Sequence, residues 1–242
     1  MRDGVDHFGW ASVFYVRVPL ALGLLGWAVA TRSSMRAPGA APRVGFPDVA
    51  RASVLGPGTL ACLAQAGIFA IWLLAPFFLI HQRHLDALAA GVLFMLTPLG
   101  TMVAAPLGGR LADRRGPWPP MVAGLALETA GLLALAGAEA TTSAAVLGGA
   151  LFAAGFGLGI FQTPNMAALM AEFPGEQHGA AGGFAFLART LGTVGGVALL
   201  AEVFSALRAA MGGAAAYGGA FALAAALPGT AAVAAVLVAR RR

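Results

Sequence analysis

Few side chains in this 242-residue sequence have types and spacing suited to chemistry. Gln162, Thr163 and Asn165 flank Pro164, and the two amides are three residues apart, on one face of a helix. A proline removes one backbone hydrogen bond and lets neighbouring polar groups turn to a cavity. An amide pair there can hydrogen-bond varied amphipathic small molecules. It can equally bridge neighbouring helices. Gln65 and Trp72 offer another amide and an aromatic ring. Glu128 and Arg189 each stand alone in apolar surroundings. An ionisable group at the centre of a membrane helix costs about 2.5–3.5 kcal/mol, so each reads as functional or paired. His81, His84 and Asp86 offer fewer ligands than a metal site needs, and no metal is expected. The single Cys62 excludes an internal disulfide framework or a thiolate cluster. All 15 basic residues are arginine, which removes a lysine Schiff base or a phosphate-loop lysine. The chain reads as a non-enzyme with no cofactor.

The elements that hold these residues are apolar. Hydrophobic residues make up 59% and charged residues 10% of the chain, and the mean hydropathy is +0.82. A soluble domain has about 45–50% apolar and about 25% charged residues, so a soluble enzyme, a disordered chain and a secreted module are excluded. Residues 52–82, 87–109, 140–171 and 209–239 contain no Asp, Glu, Lys or Arg. Each exceeds the about 20 residues that a helix needs to cross a bilayer core, and barrel strands need only about 9–11. Three further spans tolerate one or two ionisable groups. The expected architecture is an all-α polytopic membrane protein with about seven transmembrane helices, near 11–30, 57–80, 88–108, 118–138, 143–170, 180–206 and 216–239. The first is not read as a signal peptide, because residues 1–10 hold two aspartates and no clear basic region.

Arginine placement sets the expected orientation. Loop 31–56, loop 109–117 and the C-terminal tail carry ten arginines, against three (Arg2, Arg83, Arg208) on the other side. The excess marks the cytoplasm, with the C-terminus inside and the N-terminus outside. The net charge of +5 therefore lies largely at membrane edges, and no nucleic-acid partner is expected. A chain beginning outside, with a long Pro-, Gly- and Arg-rich loop after its first span, reads as continuing a larger protein. Residues 1–30 are expected to be the last helix of an absent N-terminal half. Residues 31–56 are the cytoplasmic linker, and 57–242 the six-helix second half.

The most specific local pattern is GGRLADRRG at 108–116. Gly108 and Gly109 are expected to let the two joined helix ends approach. Asp113 can cap or face the positive end of a neighbouring helix. Arg114 and Arg115 anchor the loop to the cytoplasmic side, and Gly116 closes the pattern. This spacing resembles the signature loop of the major facilitator superfamily, in its second-half copy between helices eight and nine. The stretch HFGWASVFYVRVPLALG at 7–23 is similar to the sixth-helix entry of the drug/proton antiporter (EmrB/QacA-like) branch. Residues 88–116 and 155–204 resemble that branch too. Pro117, Trp118, Pro119 and Pro120 depart from the basic residues that usually follow the loop. A single loop before the second half fits a twelve-helix parent.

The resemblance implies the rest. It gives the cavity lining to spans 57–80 and 143–170, hence to Gln65, Trp72, Gln162, Thr163 and Asn165. Glu128 is the proton-coupling candidate, although the resemblance puts its helix at the bundle periphery, where a structural role is favoured. Arg189 matches an arginine of the branch. It can pair with Glu128, pair with the absent half or face the cavity, and pairing is favoured. Asp113 is expected to face the absent fifth helix. Arg17 and Glu202 are expected at interfaces, and the pairs Gly155/Gly159, Gly179/Gly183 and Gly192/Gly196 to pack spans 143–170 and 180–206. The implied activity is proton-coupled efflux of drugs or amphipathic molecules by alternating access in the inner membrane, driven by the proton gradient. Its partners are a small-molecule substrate, the lipid bilayer and the absent half. A transporter of sugars or organic acids, or a non-transporting seven-span protein, are the alternatives.

Overall fold

The computed structural model describes residues 12–31, 45–139 and 141–240. It divides into two units, Met1–Ala41 and Pro42–Arg242. The first contains α1, Ser12–Thr31, a 20-residue apolar helix with Pro19 inside it. Arg17 lies on α1, but its side chain is outside the described residues, as are Arg2, Arg32, Arg36 and Arg43.

The second unit begins with a single turn, α2 (Phe46–Val49). Then come α3 (Ala52–Phe77), α4 (Ala87–Arg115) and α5 (Trp118–Ala136). α6 (Ala144–Met170), α7 (His178–Met211) and α8 (Gly213–Ala239) complete it. A π-helical turn, Phe78–Gln82, extends α3. Six helices among the described residues, α3 to α8, are long and apolar enough to cross a membrane. No strand occurs among the described residues. The charge-free runs explain this: each supplies enough apolar length, and intrahelical bonding satisfies every backbone group without water.

Two boundaries differ from expectation. α3 starts at Ala52, inside the expected linker. Its first turn is held because Val54 is fully buried against Leu169, Phe173, Ala181 and Ala185. Asp48 secures the approach, accepting from Gly45 N at 3.0 Å and Arg51 Nη2 at 2.9 Å. The second difference concerns GGRLADRRG, which is the end of α4 and not a loop. The helix runs to Arg115 and stops at Gly116, whose φ of +78° suits glycine. Arg114 and Arg115 thereby lie in the last turn, where cations complement the helix dipole.

The short links between consecutive spans force antiparallel neighbours. α4 and α5 pack along α6, while α7 and α8 pack along α3; α5 meets α8, and α3 meets α6. Exchanging α3, α4, α5 for α6, α7, α8 leaves this pattern unchanged, and the exchanged helices run in opposite directions. The bundle is thus an inverted pair of three-helix repeats. At the end opposite the α4 C-terminus, Arg83 donates to the backbone oxygens of Glu139 and Thr142, tying the α3–α4 turn to the α5–α6 turn.

Glycines set the close contacts, with partners other than those expected. A Cβ on Gly155 would overlap the Thr97 carbonyl of α4, and one on Gly192 the Cys62 carbonyl of α3. A Cβ on Gly159 would stand 2.5 Å from Thr101 O, and one on Gly196 2.7 Å from Ala66 Cα. Gly179 and Gly183 have nothing within 4 Å. The pairs therefore join α6 to α4 and α7 to α3, not α6 to α7. The reason lies in the repeat: α6 and α7 are consecutive, but the tight partner of α6 is α4, two elements before it, and that of α7 is α3, four elements before it.

Candidate binding cavity

A cavity of about 600 Å³ opens where α3, α4, α6 and α7 meet. These are two exchange-related pairs, so the cavity lies at the interface of the inverted repeats. α3 presents Gln65, Ile68, Phe69 and Trp72, spaced so that all fall on one helical face. α6 contributes Leu158 and Gln162; α4 contributes Thr97, Pro98, Thr101 and Met102; α7 contributes Arg189, Thr190 and Thr193. The chemistry follows the repeat, with a glutamine on each of α3 and α6 and two threonines on each of α4 and α7. Arg189 breaks that symmetry as the charged residue of the lining.

The wall is ordered by its own contacts. Trp72 packs edge-on against Phe94 at 4.9 Å between centroids and stacks on Phe69 at 6.2 Å. Thr97 Oγ1 donates to Leu151 O at 3.2 Å, and Thr101 Oγ1 to Gly155 O at 2.9 Å. Both bonds cross from α4 to α6, which the glycines bring within reach. Thr190 Oγ1 donates to Phe186 O at 2.9 Å on its own helix. Trp72 is 47% and Met102 67% exposed, so one side of the cavity is not covered by the described residues.

Of the residues expected at the site, Gln65, Trp72 and Gln162 line this cavity. Asn165 lies just beyond, in a small cleft shared with Gln65, Gln162 and Arg189. It is 5% exposed, and its Oδ1 has no hydrogen-bond partner. Thr163 is not brought in: it is exposed, and the Cβ position of Gly109 on α4 is 3.4 Å from its Cγ2. One residue is about 100° around a helix, so Thr163 cannot share the face of Gln162. The cavity threonines and Phe69 were missed, because a threonine in an apolar run gives no signal until the helix pairing is known.

Glu128 and Arg189 do not pair. Glu128 is fully buried on the α5 face that meets α6, beside Gly157. Neither of its carboxyl oxygens has a hydrogen-bond partner. Arg189 lines the cavity and its cleft, and makes no ion pair among the described residues. Glu202 is exposed on α7. Asp86 caps α4, accepting from Ala89 N at 2.8 Å, which gives it a structural task.

The α4 end residues take different tasks from those expected. A Cβ on Gly108 would stand 2.6 Å from Ile160 O, so this glycine admits α6 and not the end of α5. Asp113 is exposed and does not cap α5, whose N-cap is Pro117 with no side-chain bond.

Residues 4–197 match the sequence profile described as Major Facilitator Superfamily. Similar curated proteins include Multidrug resistance protein Stp of Mycobacterium tuberculosis, 27% identical over 84% of this chain and 48% of Stp. Riboflavin transporter RibZ of Clostridioides difficile is 29% identical over 56% of this chain and 30% of RibZ. The chain thus spans half or less of the length of these relatives. The Stp match runs over 259 positions, more than the 242 residues here, so Stp holds residues within the matched region that this chain lacks. The crystal structure of tetrameric PepTSo2 has the same fold, with a TM-score of 0.69 at 15% identity, over 76% of this chain and 39% of that one.

Proposed function

This chain belongs to the Major Facilitator Superfamily, and on that premise we propose that α3 to α8 are the C-terminal half of a proton-coupled exporter of amphipathic small molecules. The observation that carries the proposal is the cavity of about 600 Å³ at the repeat interface, with aromatic walls and a few convergent polar groups. Transporters built from inverted repeats hold substrate near the midplane at such an interface, and drug-sized ligands occupy pockets of about 300–1,000 Å³. The uncovered side at Trp72 and Met102 is where the N-terminal half would supply the facing wall. Alternating access is then a rocking of the two halves around the site.

Several features support this reading. Stp is named for multidrug resistance and RibZ for transport of riboflavin, an aromatic compound. The residues bordering the cavity in this half include no Asp or Glu among the described residues. This half therefore supplies the binding wall, and the proton-coupling carboxylate belongs to the other half. Glu128 is a packing residue in this account. The arginine excess at the α4 and α8 ends supports a cytoplasmic C-terminus and an inner-membrane location.

The test is flux of a fluorescent amphipathic aromatic compound in proteoliposomes, with and without a pH gradient. The 242-residue chain is compared with the chain extended by any coding sequence found upstream of Met1. Gradient-dependent flux in the extended form is expected. Flux in neither form, or flux indifferent to the gradient, refutes proton-coupled export.

A further inference from the structure

Hydrogen-bond donors are unevenly placed in the cavity. Three of its threonines, Thr97, Thr101 and Thr190, already give their hydroxyl protons to backbone oxygens. Toward a ligand they offer only lone pairs. The donors left free are the guanidinium of Arg189 and the amide NH2 groups of Gln65 and Gln162, with the Thr193 hydroxyl nearby. Arg189, Gln65 and Gln162 are also shared by the cavity and its cleft, so they gather at one end. On each helix this end is the one nearer the α4 C-terminus. Gln65 precedes Trp72 on α3, Gln162 follows Leu158 on α6, and Arg189 precedes Thr193 on α7. The aromatic wall of Phe69 and Trp72 lies toward the opposite end, with Trp72 about 10 Å beyond Gln65 along α3.

From this polarity we infer that the cavity takes an aromatic weak acid. Its anionic group sits on Arg189 between Gln65 and Gln162, and its ring system lies against Phe69 and Trp72. The inference rests on the cavity being the substrate site. A guanidinium presents a planar fork of donors that matches a carboxylate or phosphate. Arg189 has no anionic partner among the described residues, and none of the lining residues is acidic. A cationic amphiphile would place like charges together at this end. The Thr101 hydroxyl oxygen sits on the α4 side, where a ring N–H or hydroxyl donor of a substrate can reach it. The ligand is thus bipolar: an anion at one end, an aromatic body, and a weak donor on one flank.

Three probes of one shape test this: 2-naphthoate, 2-naphthamide and 2-naphthyltrimethylammonium. Their binding to the purified full chain is measured by equilibrium dialysis. The naphthoate is expected to bind at least tenfold tighter than the other two. Arg189→Gln should erase that difference, and Arg189→Lys should restore part of it. Naphthamide bound in a Trp72-dependent manner, with no preference for naphthoate, would overturn the anion assignment and leave the cavity reading standing. No binding of any probe, or binding indifferent to Trp72→Ala, would overturn both. The probe ratio on the unaltered chain stands even if an Arg189 variant fails to fold.

Discussion

Glu128 has both carboxyl oxygens buried without a partner, while Arg189 lies at the edge of an open cavity. Replacing unpartnered buried polar atoms by an apolar group of similar shape is neutral or stabilising. Glu128→Leu is therefore expected to raise stability by about 1–3 kcal/mol, read as a higher Tm, and to leave binding in the cavity unchanged. Loss of gradient-driven flux in a folded Glu128→Leu protein would instead give Glu128 the coupling role. Gln162 and Thr163 make a sharper pair. One hydrogen bond is worth about 0.5–1.5 kcal/mol, so Gln162→Ala should weaken ligand binding about two- to tenfold, while Thr163→Ala should not change it. Titration calorimetry on both variants checks this. Residue types around Pro164 announce polar chemistry in the sequence, but only the helical phase separates Gln162 from its neighbour. Arg189 reads as an intramembrane charge at once. Its place on the cavity wall, apart from Glu128, depends on α7 packing against α3.

At the scale of elements, the α4–α6 contact organises the site, because it sets two threonine bonds and one cavity wall. Gly155 is the tightest point, where an added Cβ would overlap the Thr97 carbonyl, a backbone atom with no rotamer to escape into. Gly155→Ala is expected to cost about 1–3 kcal/mol or more. Gly149→Ala, on the same helix with nothing within 4 Å, should change stability by less than about 0.5 kcal/mol. Thermal unfolding in detergent compares the two. Glycine spacing marks such contacts in a sequence but does not name the partner. That is why the pairs at 155/159 and 192/196 point to each other by chain proximity and in fact meet α4 and α3. The same limit applies to GGRLADRRG. Gly, Asp and Arg look like a turn, yet the backbone stays helical to Arg115 because only Gly116 adopts positive φ.

At the scale of the molecule, apolar run length carries most of the information. The six spans of the second unit begin and end within a few residues of their charged or glycine borders, since a charge inside the bilayer is costly and a backbone break there equally so. What run length leaves open is which helices touch, and the inverted repeat supplies that. It also places the cavity, since one helix pair from each exchange contributes a wall. The cavity at the repeat interface is proposed as the substrate site of proton-driven transport. The most direct measurement is pH-gradient-driven flux of one aromatic compound in proteoliposomes, comparing Gln162→Ala with Thr163→Ala in the transport-competent form. Flux reduced by the first at subsaturating substrate and unchanged by the second is the predicted result. Equal flux in the two variants would contradict the claim.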